Sequence, residues 1–160
     1  KRARVRVETL VDSHPQVPSY REFQAGMHHK LGTVIMRLGL DAEAETSYAT
    51  AIECYQTLAA RFPDRADYYK LKRAFAQQSL AGLLLERDQR ASSERARDEL
   101  LAGITTMETI VTNGEDQATV DARVDNCYQL LARAYRQLGE IKLADEALLQ
   151  SHPFGRSKRP

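Results

Sequence analysis

The side chains of this sequence that could do chemistry are few, and the adjacent histidines His28 and His29 come first among them. Two neighbouring imidazoles could ligate a metal ion. Both lie in a stretch of helical periodicity, where consecutive side chains point about 100° apart around the helix axis, so one ion cannot reach both rings. His14 and His152 each precede a proline at the end of a unit, where a structural role is expected. We therefore expect no metal site.

The two cysteines, Cys54 and Cys127, lie far apart and outside any C-x-x-C spacing. This pattern favours neither a zinc site nor a disulfide framework, so we expect a reducing compartment, the cytoplasm. No histidine stands near either thiol in sequence to activate it, and we expect ordinary semi-buried side chains.

The motifs of common catalytic sites are also missing from the sequence. It contains no glycine-rich phosphate loop and no H-R-D or D-F-G signature of a kinase. The acidic pairs Glu43 with Glu45 and Asp98 with Glu99 lie on charged helix faces, where solvation explains them better than glycoside hydrolysis. We expect a non-enzymatic chain with no catalytic residue and no cofactor.

Composition argues against two further classes of partner. The formal net charge of +1 gives no field that would attract nucleic acid, although basic residues cluster at both ends of the chain. The seven tyrosines stand at helical spacings, which favours core packing over stacking on bases. No apolar run approaches the ~20 residues that cross a bilayer, and no signal peptide is visible, so we expect no membrane insertion. Because the chain opens on Lys1 in helix-forming sequence, we expect an excised piece of a longer protein.

These side chains are carried by a helical pattern that recurs along the chain. Large and small residues followed by a breaker return at intervals close to fifty residues, first in Leu31, Gly32, Ile35 and Gly39, then in Leu80, Ala81, Leu84 and Asp88, and again in Leu131, Ala132, Tyr135 and Gly139. A helix–breaker–helix unit at a fixed period is typical of a solenoid.

The spacing of apolar residues predicts the helices. They are expected at about 19–38, 42–61, 66–87, 93–112, 117–138 and 141–150, with N-caps from Ser19, Asp41 and Ser92 or Ser93. The predicted fold is an all-α solenoid of antiparallel helix pairs. A repeat domain covers 1–154, with a leading half-unit at 1–15 and units at about 19–62, 66–112 and 117–151. Residues 155–160 are expected to form a disordered basic tail.

Small residues recur where paired helices should approach most closely. Gly32, Ala81 and Ala132 take this place on the first helices, and Ala44, Ala96 and Ala144 on the second. A bulkier side chain there would push the helix axes beyond their usual ~8–10 Å separation. We therefore expect these six residues to be the close-packing points of the helix pairs.

These residues resemble the tetratricopeptide repeat. The family's pattern of Leu-Gly, a large residue, Gly, Ala and an aromatic residue is seen in the first unit, with Ala44 and Tyr48 completing it. The period of about 48 exceeds the usual ~34 residues. This long form, with Phe62-Pro63 and Tyr68 before a first helix, is similar to repeats in the C-terminal regions of planctomycete-type bacterial serine/threonine protein kinases.

The resemblance implies a right-handed superhelix of the helix pairs. It also implies a ligand groove lined by the first helix of each pair. By helical phase its residues are His29, Thr33, Met36 and Arg37 in the first unit, Gln78, Ser79, Gly82 and Glu86 in the second, and Asn126, Gln129, Arg133 and Arg136 in the third. The third set is basic, which favours an acidic protein or peptide segment as partner.

Two functions fit this pattern. The first is a non-catalytic interaction module or scaffold that binds a protein segment on the concave face. The second is a regulatory C-terminal repeat region of a larger signalling enzyme, foremost a bacterial serine/threonine kinase whose catalytic domain would lie upstream. Self-association through the exposed ends of the stack is a further hypothesis, because stacks need polar caps for solubility.

Overall fold

A computed structural model describes residues 13–14, 17–110 and 117–151 of the chain, and the regular structure within them is helical. Six α-helices and a short 3-10 turn (Pro63–Arg65) follow one another: α1 (Pro18–Arg37), α2 (Asp41–Arg61), α3 (Ala66–Leu85), α4 (Arg90–Thr109), α5 (Gln117–Leu138) and α6 (Ile141–Gln150). The all-α class is confirmed, and each of these helices lies within three residues of its expected bounds. The leading half-unit 1–15, apart from residues 13–14, and the basic tail 155–160 lie outside the described residues.

The helices begin without the side-chain caps that the sequence predicted. The N-cap residues are Val17 for α1, Leu40 for α2 and Gln89 for α4, and none of them makes a capping hydrogen bond from its side chain. The predicted caps Ser19 and Asp41 are instead inside their helices. At α1 the first helical residue is Pro18, whose fixed φ suits a helix start and whose missing N–H needs no partner.

The three turns between paired helices share one backbone conformation. Gly39 and Gly139 have φ of 72° and 81°, and Asp88, which stands at the corresponding place in the middle unit, has φ of 46°. A left-handed residue ends a helix by turning the chain back, and glycine adopts it without a clash at Cβ. The breaker positions identified from the sequence therefore have the same role in all three turns: each ends a helix with a residue of positive φ.

The described chain divides into two compact units, residues 1–76 and 77–160, with the division inside α3. The first unit holds α1, α2, the 3-10 turn and the start of α3. Its core contains Ala25, Cys54, Tyr55, Leu58 and Tyr69, with Ala59 and Phe62 packed against them. Tyr69 belongs to α3, so the start of that helix shares a core with α1 and α2.

The closest helix contact in the first unit is between Gly32 of α1 and Tyr48 of α2. A Cβ atom placed on Gly32 would lie 2.8 Å from two ring carbons of Tyr48. Ala44, four residues before Tyr48 on α2, is fully buried. The atoms nearest to Gly32, however, belong to the Tyr48 ring and not to Ala44. The absence of a side chain at Gly32 is what lets the Tyr48 ring lie this close to α1.

In the second unit α4 packs against α5, and α5 packs against α6. The small residues expected at close approaches are buried to 1% exposure or less, namely Ala81, Ala96, Ala132 and Ala144. Leu84 and Leu100 are buried as well. Gly32 and Ala44 of the first unit are buried too, so all six small positions lie in the interior.

Candidate binding surface

The four predicted groove residues on α1 differ in how open they are. The His29 ring is half-buried and lies edge-on to Tyr48, with ring centroids 5.8 Å apart. The Tyr48 hydroxyl donates to Thr33 Oγ1 at 3.2 Å, and Thr33 Oγ1 donates to the His29 carbonyl at 3.3 Å. His29 and Thr33 thus serve the contact with α2. Met36 is half-buried, and Arg37 is exposed.

On α3, Gln78 is buried and bonded to α5. Its Nε2 donates to Asn126 Oδ1 at 2.7 Å and to the Arg123 carbonyl at 3.3 Å, and its Oε1 accepts from Arg123 Nη1 at 3.1 Å. Ser79 and Gly82 are half-buried. Gln78 therefore joins two first helices to each other, a role that its helical phase did not reveal.

Arg133 of α5 caps the carboxyl end of α3. Its Nη2 donates to the Leu85 carbonyl at 3.0 Å, and its Nη1 pairs with Glu86 Oε1 at 2.7 Å. Gln137 Nε2 donates to the same carbonyl at 3.0 Å, while its Oε1 accepts from the Ser93 hydroxyl at 2.8 Å. The last carbonyls of a helix need such partners because no further turn supplies them.

Sequence reasoning missed Gln137 and Ser93. Ser93 was expected to cap α4, yet it is fully buried within that helix and donates to the Gln89 carbonyl as well as to Gln137. The one available signal was the end of α3 itself, whose unpaired carbonyls demand donors from elsewhere.

Four polar side chains form an exposed row along α5, which we call the α5 strip: Asn126, Gln129, Arg133 and Arg136. All four are exposed, and their spacing of three and four residues keeps them on one side of the helix. The Arg133 and Arg136 side chains are 43% and 54% exposed. This strip is the most open part of the predicted groove in the second unit.

Each arginine of the strip has an exposed carboxylate as neighbour. Glu86 pairs with Arg133, and the hydrogen bond from that guanidinium holds the pKa of the Glu86 carboxyl below its usual value. Asp145 of α6 lies 4.0 Å from Arg136. Exposed pairs of this kind contribute only ~0–1 kcal/mol to stability. A carboxylate from a ligand can therefore replace Glu86 or Asp145 at little cost.

A second polar cluster, which the sequence did not predict, lies in the first unit around Glu22. The Tyr68 hydroxyl donates to its Oε1 at 2.9 Å, and the Tyr69 hydroxyl donates to its Oε2 at 3.3 Å. Arg65 pairs with the same carboxylate at 3.3 Å and lies 5.1 Å from each ring centroid. Burial, and then the charge of Glu22, raises the pKa of Tyr69. The carboxylate fixes the start of α3 against α1.

Three of the seven tyrosines and both thiols are core residues. Tyr48, Tyr55 and Tyr69 are buried, and burial raises the pKa of Tyr55 to about 12. Both cysteines are buried free thiols, and burial raises the pKa of Cys127 to about 12 and that of Cys54 above its usual value. A thiol protonated at neutral pH is a poor nucleophile.

Within residues 13–14, 17–110 and 117–151 no three His, Cys, Asp or Glu side chains are grouped so that they could hold a metal ion. No helix in the same part of the chain is both long and apolar enough to cross a membrane.

Comparison of the chain with protein-family models, with curated proteins and with solved structures gave no match in any of the three.

Proposed function

We propose that this chain is a non-catalytic helical-repeat module that binds an acidic segment of another protein along the α5 strip. The observation that carries the proposal is the pair Arg133 and Arg136, two guanidinium groups one helical turn apart that are both about half exposed. As part of the proposal the module works in a reducing compartment, the cytoplasm, which suits its two free thiols.

The proposed architecture is a stack of antiparallel helix pairs, similar to a tetratricopeptide superhelix. In the first unit Gln24 contacts Cys54 and Gly32 contacts Tyr48, so the partner on α2 moves backwards as α1 advances. The left-handed turn that recurs at three equivalent places supports the same arrangement in the other pairs. In such a stack the first helices present one polar side to a ligand, and α5 carries the strip on that side.

In the proposed recognition, a carboxylate of the ligand replaces a carboxylate of the chain as the partner of an arginine. The Arg133 guanidinium is held in place by the Leu85 carbonyl through Nη2, while Nη1 faces the exposed carboxylate of Glu86. A ligand carboxylate can take the place of Glu86 without disturbing the bond to Leu85. Arginine forks bind carboxylates through two parallel hydrogen bonds, which adds direction to the attraction of charge.

The neutral part of the strip can bind the backbone of the same ligand. Asn126 Oδ1 accepts from Gln78, and the Asn126 side chain is exposed, so its NH2 group can serve as a donor to a ligand carbonyl. Gln129 lies one turn further along α5 and is exposed. An extended segment with acidic side chains beside the arginines and free carbonyls beside the amides matches this order of groups.

The test is fluorescence anisotropy with two labelled peptides that differ only in having Glu and Asp, or Gln and Asn, at the same positions. We expect the acidic peptide to bind the wild-type chain and the amide peptide to bind at least tenfold more weakly. Arg133→Glu with Arg136→Glu should abolish the preference. Glu86→Gln should strengthen binding of the acidic peptide because it removes the competing carboxylate.

Arg90→Glu with Arg95→Glu is the matched control, since both arginines are exposed on α4 and the total charge change is the same. It should leave binding within about twofold, while far-UV circular dichroism checks that every variant is folded. Equal binding of both peptides, or unchanged binding by the double variant, would refute the α5 strip as the site.

A further inference from the structure

Two hydrogen-bonded links join α3 to α5 within the second unit. Gln78 Nε2 donates to Asn126 Oδ1 at 2.7 Å, and Arg133 Nη1 donates to Glu86 Oε1 at 2.7 Å. The partners are 48 residues apart in the first link and 47 in the second, so the two helices run side by side in the same direction. From Gln78 to Glu86 the rise along the helix axis is about 12 Å.

Gly82 of α3 and Leu130 of α5 lie between these links. Gly82 is four residues after Gln78, which places it one turn along the same side of α3. Leu130 stands in the same relation to Asn126 on α5. Both residues are half-buried. Together with the two links they bound a space that we call the Gly82 gap, to which the glycine contributes no side chain.

Neither packing nor backbone conformation requires a glycine at position 82. A Cβ atom on Gly82 would meet no atom of the described chain within 4 Å beyond its own helix backbone, whereas one on Gly32 would lie 2.8 Å from the Tyr48 ring. The φ angle of Gly82 is not positive, unlike those of Gly39 and Gly139. Glycine inside a helix is less favourable than every residue except proline. A glycine kept without either reason leaves space for a group of another molecule to approach the backbone.

We propose that the Gly82 gap receives one aromatic side chain of the acidic segment that binds the α5 strip. The ring lies on the backbone of α3 at Gly82, with Leu130 beside it and one link at each end. The inference rests on the proposed function, because the ring belongs to the same ligand as the carboxylate that pairs with Arg133. It adds an apolar anchor to a site otherwise made of charged and polar groups, and buried aromatic side chains supply much of the binding free energy of protein interfaces.

The guanidinium of Arg133 favours an aromatic ring over an aliphatic group in the gap. Glu86 follows Gly82 by four residues, a rise of about 6 Å, and the cation lies at the Glu86 end. A cation attracts an aromatic ring whose centroid is within about 6 Å. The bond from Nη2 to the Leu85 carbonyl, at 3.0 Å, holds the guanidinium there when a ligand carboxylate replaces Glu86.

The spacing of these groups fixes the place of the ring in the ligand. An extended segment advances about 3.3 Å per residue, and its alternate side chains point to the same side. A separation of about 6 Å along α3 therefore corresponds to two residues of the ligand. The aromatic residue lies two positions from the acidic residue that pairs with Arg133, on the side of the segment that faces Asn126.

Fluorescence anisotropy with labelled acidic peptides tests the proposal. Each peptide carries the same pair of Glu and Asp and, two residues away, Phe, cyclohexylalanine or Ala. This variable residue precedes the acidic pair in one series and follows it in the other, because an extended segment can run in either direction. In one series we expect Phe to bind at least tenfold more tightly than Ala and threefold more tightly than cyclohexylalanine. Gly82→Ala should reduce the Phe advantage at least threefold while raising the urea midpoint, and Gly82→Leu should abolish the advantage.

Gly26→Ala is the matched control, because it is the same change in α1 and its Cβ would be 3.7 Å from the Tyr55 hydroxyl oxygen. It should raise the urea midpoint and keep the Phe advantage within about twofold. Equal binding of the Phe and Ala peptides in both series, while the acidic pair still binds better than its amide counterpart, overturns the aromatic site alone. So does a Phe advantage that persists in Gly82→Leu or that cyclohexylalanine matches. Loss of the preference for the acidic pair overturns this proposal together with the α5 strip.

Discussion

Replacing Gly32 by alanine should destabilise the first unit, although alanine is the better helix former. Glycine inside a helix costs ~1 kcal/mol relative to alanine, so propensity alone predicts a gain. The new Cβ, however, would lie 2.8 Å from two carbons of the Tyr48 ring and 3.1 Å from a third. Carbon atoms normally rest ~3.5–4.0 Å apart, so ring or helix must move by more than half an ångström.

The ring has little room to move. Tyr48 is 1% exposed, and its hydroxyl is bonded to Thr33. Forcing extra carbon into a packed contact costs ~1–3 kcal/mol, and losing the hydroxyl bond costs about 1 kcal/mol more. After subtracting the gain in helix propensity, we expect Gly32→Ala to lower the free energy of unfolding by about 1–3 kcal/mol.

Gly26→Ala is the matched control, because it lies in the same helix and tests the same propensity. Its Cβ would be 3.7 Å from the Tyr55 hydroxyl oxygen, an ordinary contact. We expect it to raise the free energy of unfolding by up to about 1 kcal/mol. Gly82→Ala in α3, with nothing within 4 Å, should behave in the same way.

Urea unfolding followed by far-UV circular dichroism measures all three variants. The double variant Gly32→Ala with Tyr48→Leu adds a further check, since a shared contact makes it less destabilised than the sum of the single variants by about 1 kcal/mol. If Gly32→Ala stabilises the chain as much as Gly26→Ala does, the close approach of Tyr48 to α1 is wrong.

Three further predictions concern single side chains. Asp88→Gly should raise the free energy of unfolding by about 1 kcal/mol because φ of 46° strains a residue with a Cβ atom, whereas Asp88→Ala should not; equal midpoints in urea would contradict this. Gln137→Leu should lower it by about 1 kcal/mol, because the buried Ser93 hydroxyl and the Leu85 carbonyl each lose one of two partners and keep the other; an unchanged midpoint would show that the remaining partners suffice. The Glu86 carboxyl has a pKa lowered from 4.5 in the folded chain, so its pair with Arg133 stabilises above that pH and is lost as the pH falls through the folded value. Glu86→Gln should therefore flatten the stability–pH profile below about pH 4.5, by a small amount because the pair is exposed, and an identical profile would refute the linkage.

The helices themselves were predictable because their signals are local. Gly39 and Gly139 end helices by a left-handed conformation that any neighbouring sequence permits, and the apolar spacing before and after them is a property of a few consecutive turns. The middle turn was predictable because the repeat period places it at Asp88, although this residue is not a glycine. N-caps were predicted wrongly, because Pro18 starts α1 by its own geometry and Ser93 has a better partner elsewhere.

The candidate site was predictable only in part. Arg133 and Arg136 are exposed on one side of α5, where the helical phase had them. Gln78, in contrast, is buried by bonds to residues 45 and 48 positions away, and Glu22 binds tyrosines 46 and 47 positions away. Helical phase states which residues share a face, but not which face another helix will cover.

The sequence by itself determined the six described helices, their breakers and the small residues between them, because each depends on backbone sterics and periodicity within one segment. Only the tertiary structure decided which polar groups are hydrogen-bonded within the chain and which are exposed. A helix turns by about 100° per residue, so a small rotation of one packed helix decides whether a side chain meets a carbonyl or water. For that reason Arg133 was identified from its sequence position, while its hold on the end of α3 was found only in the folded chain.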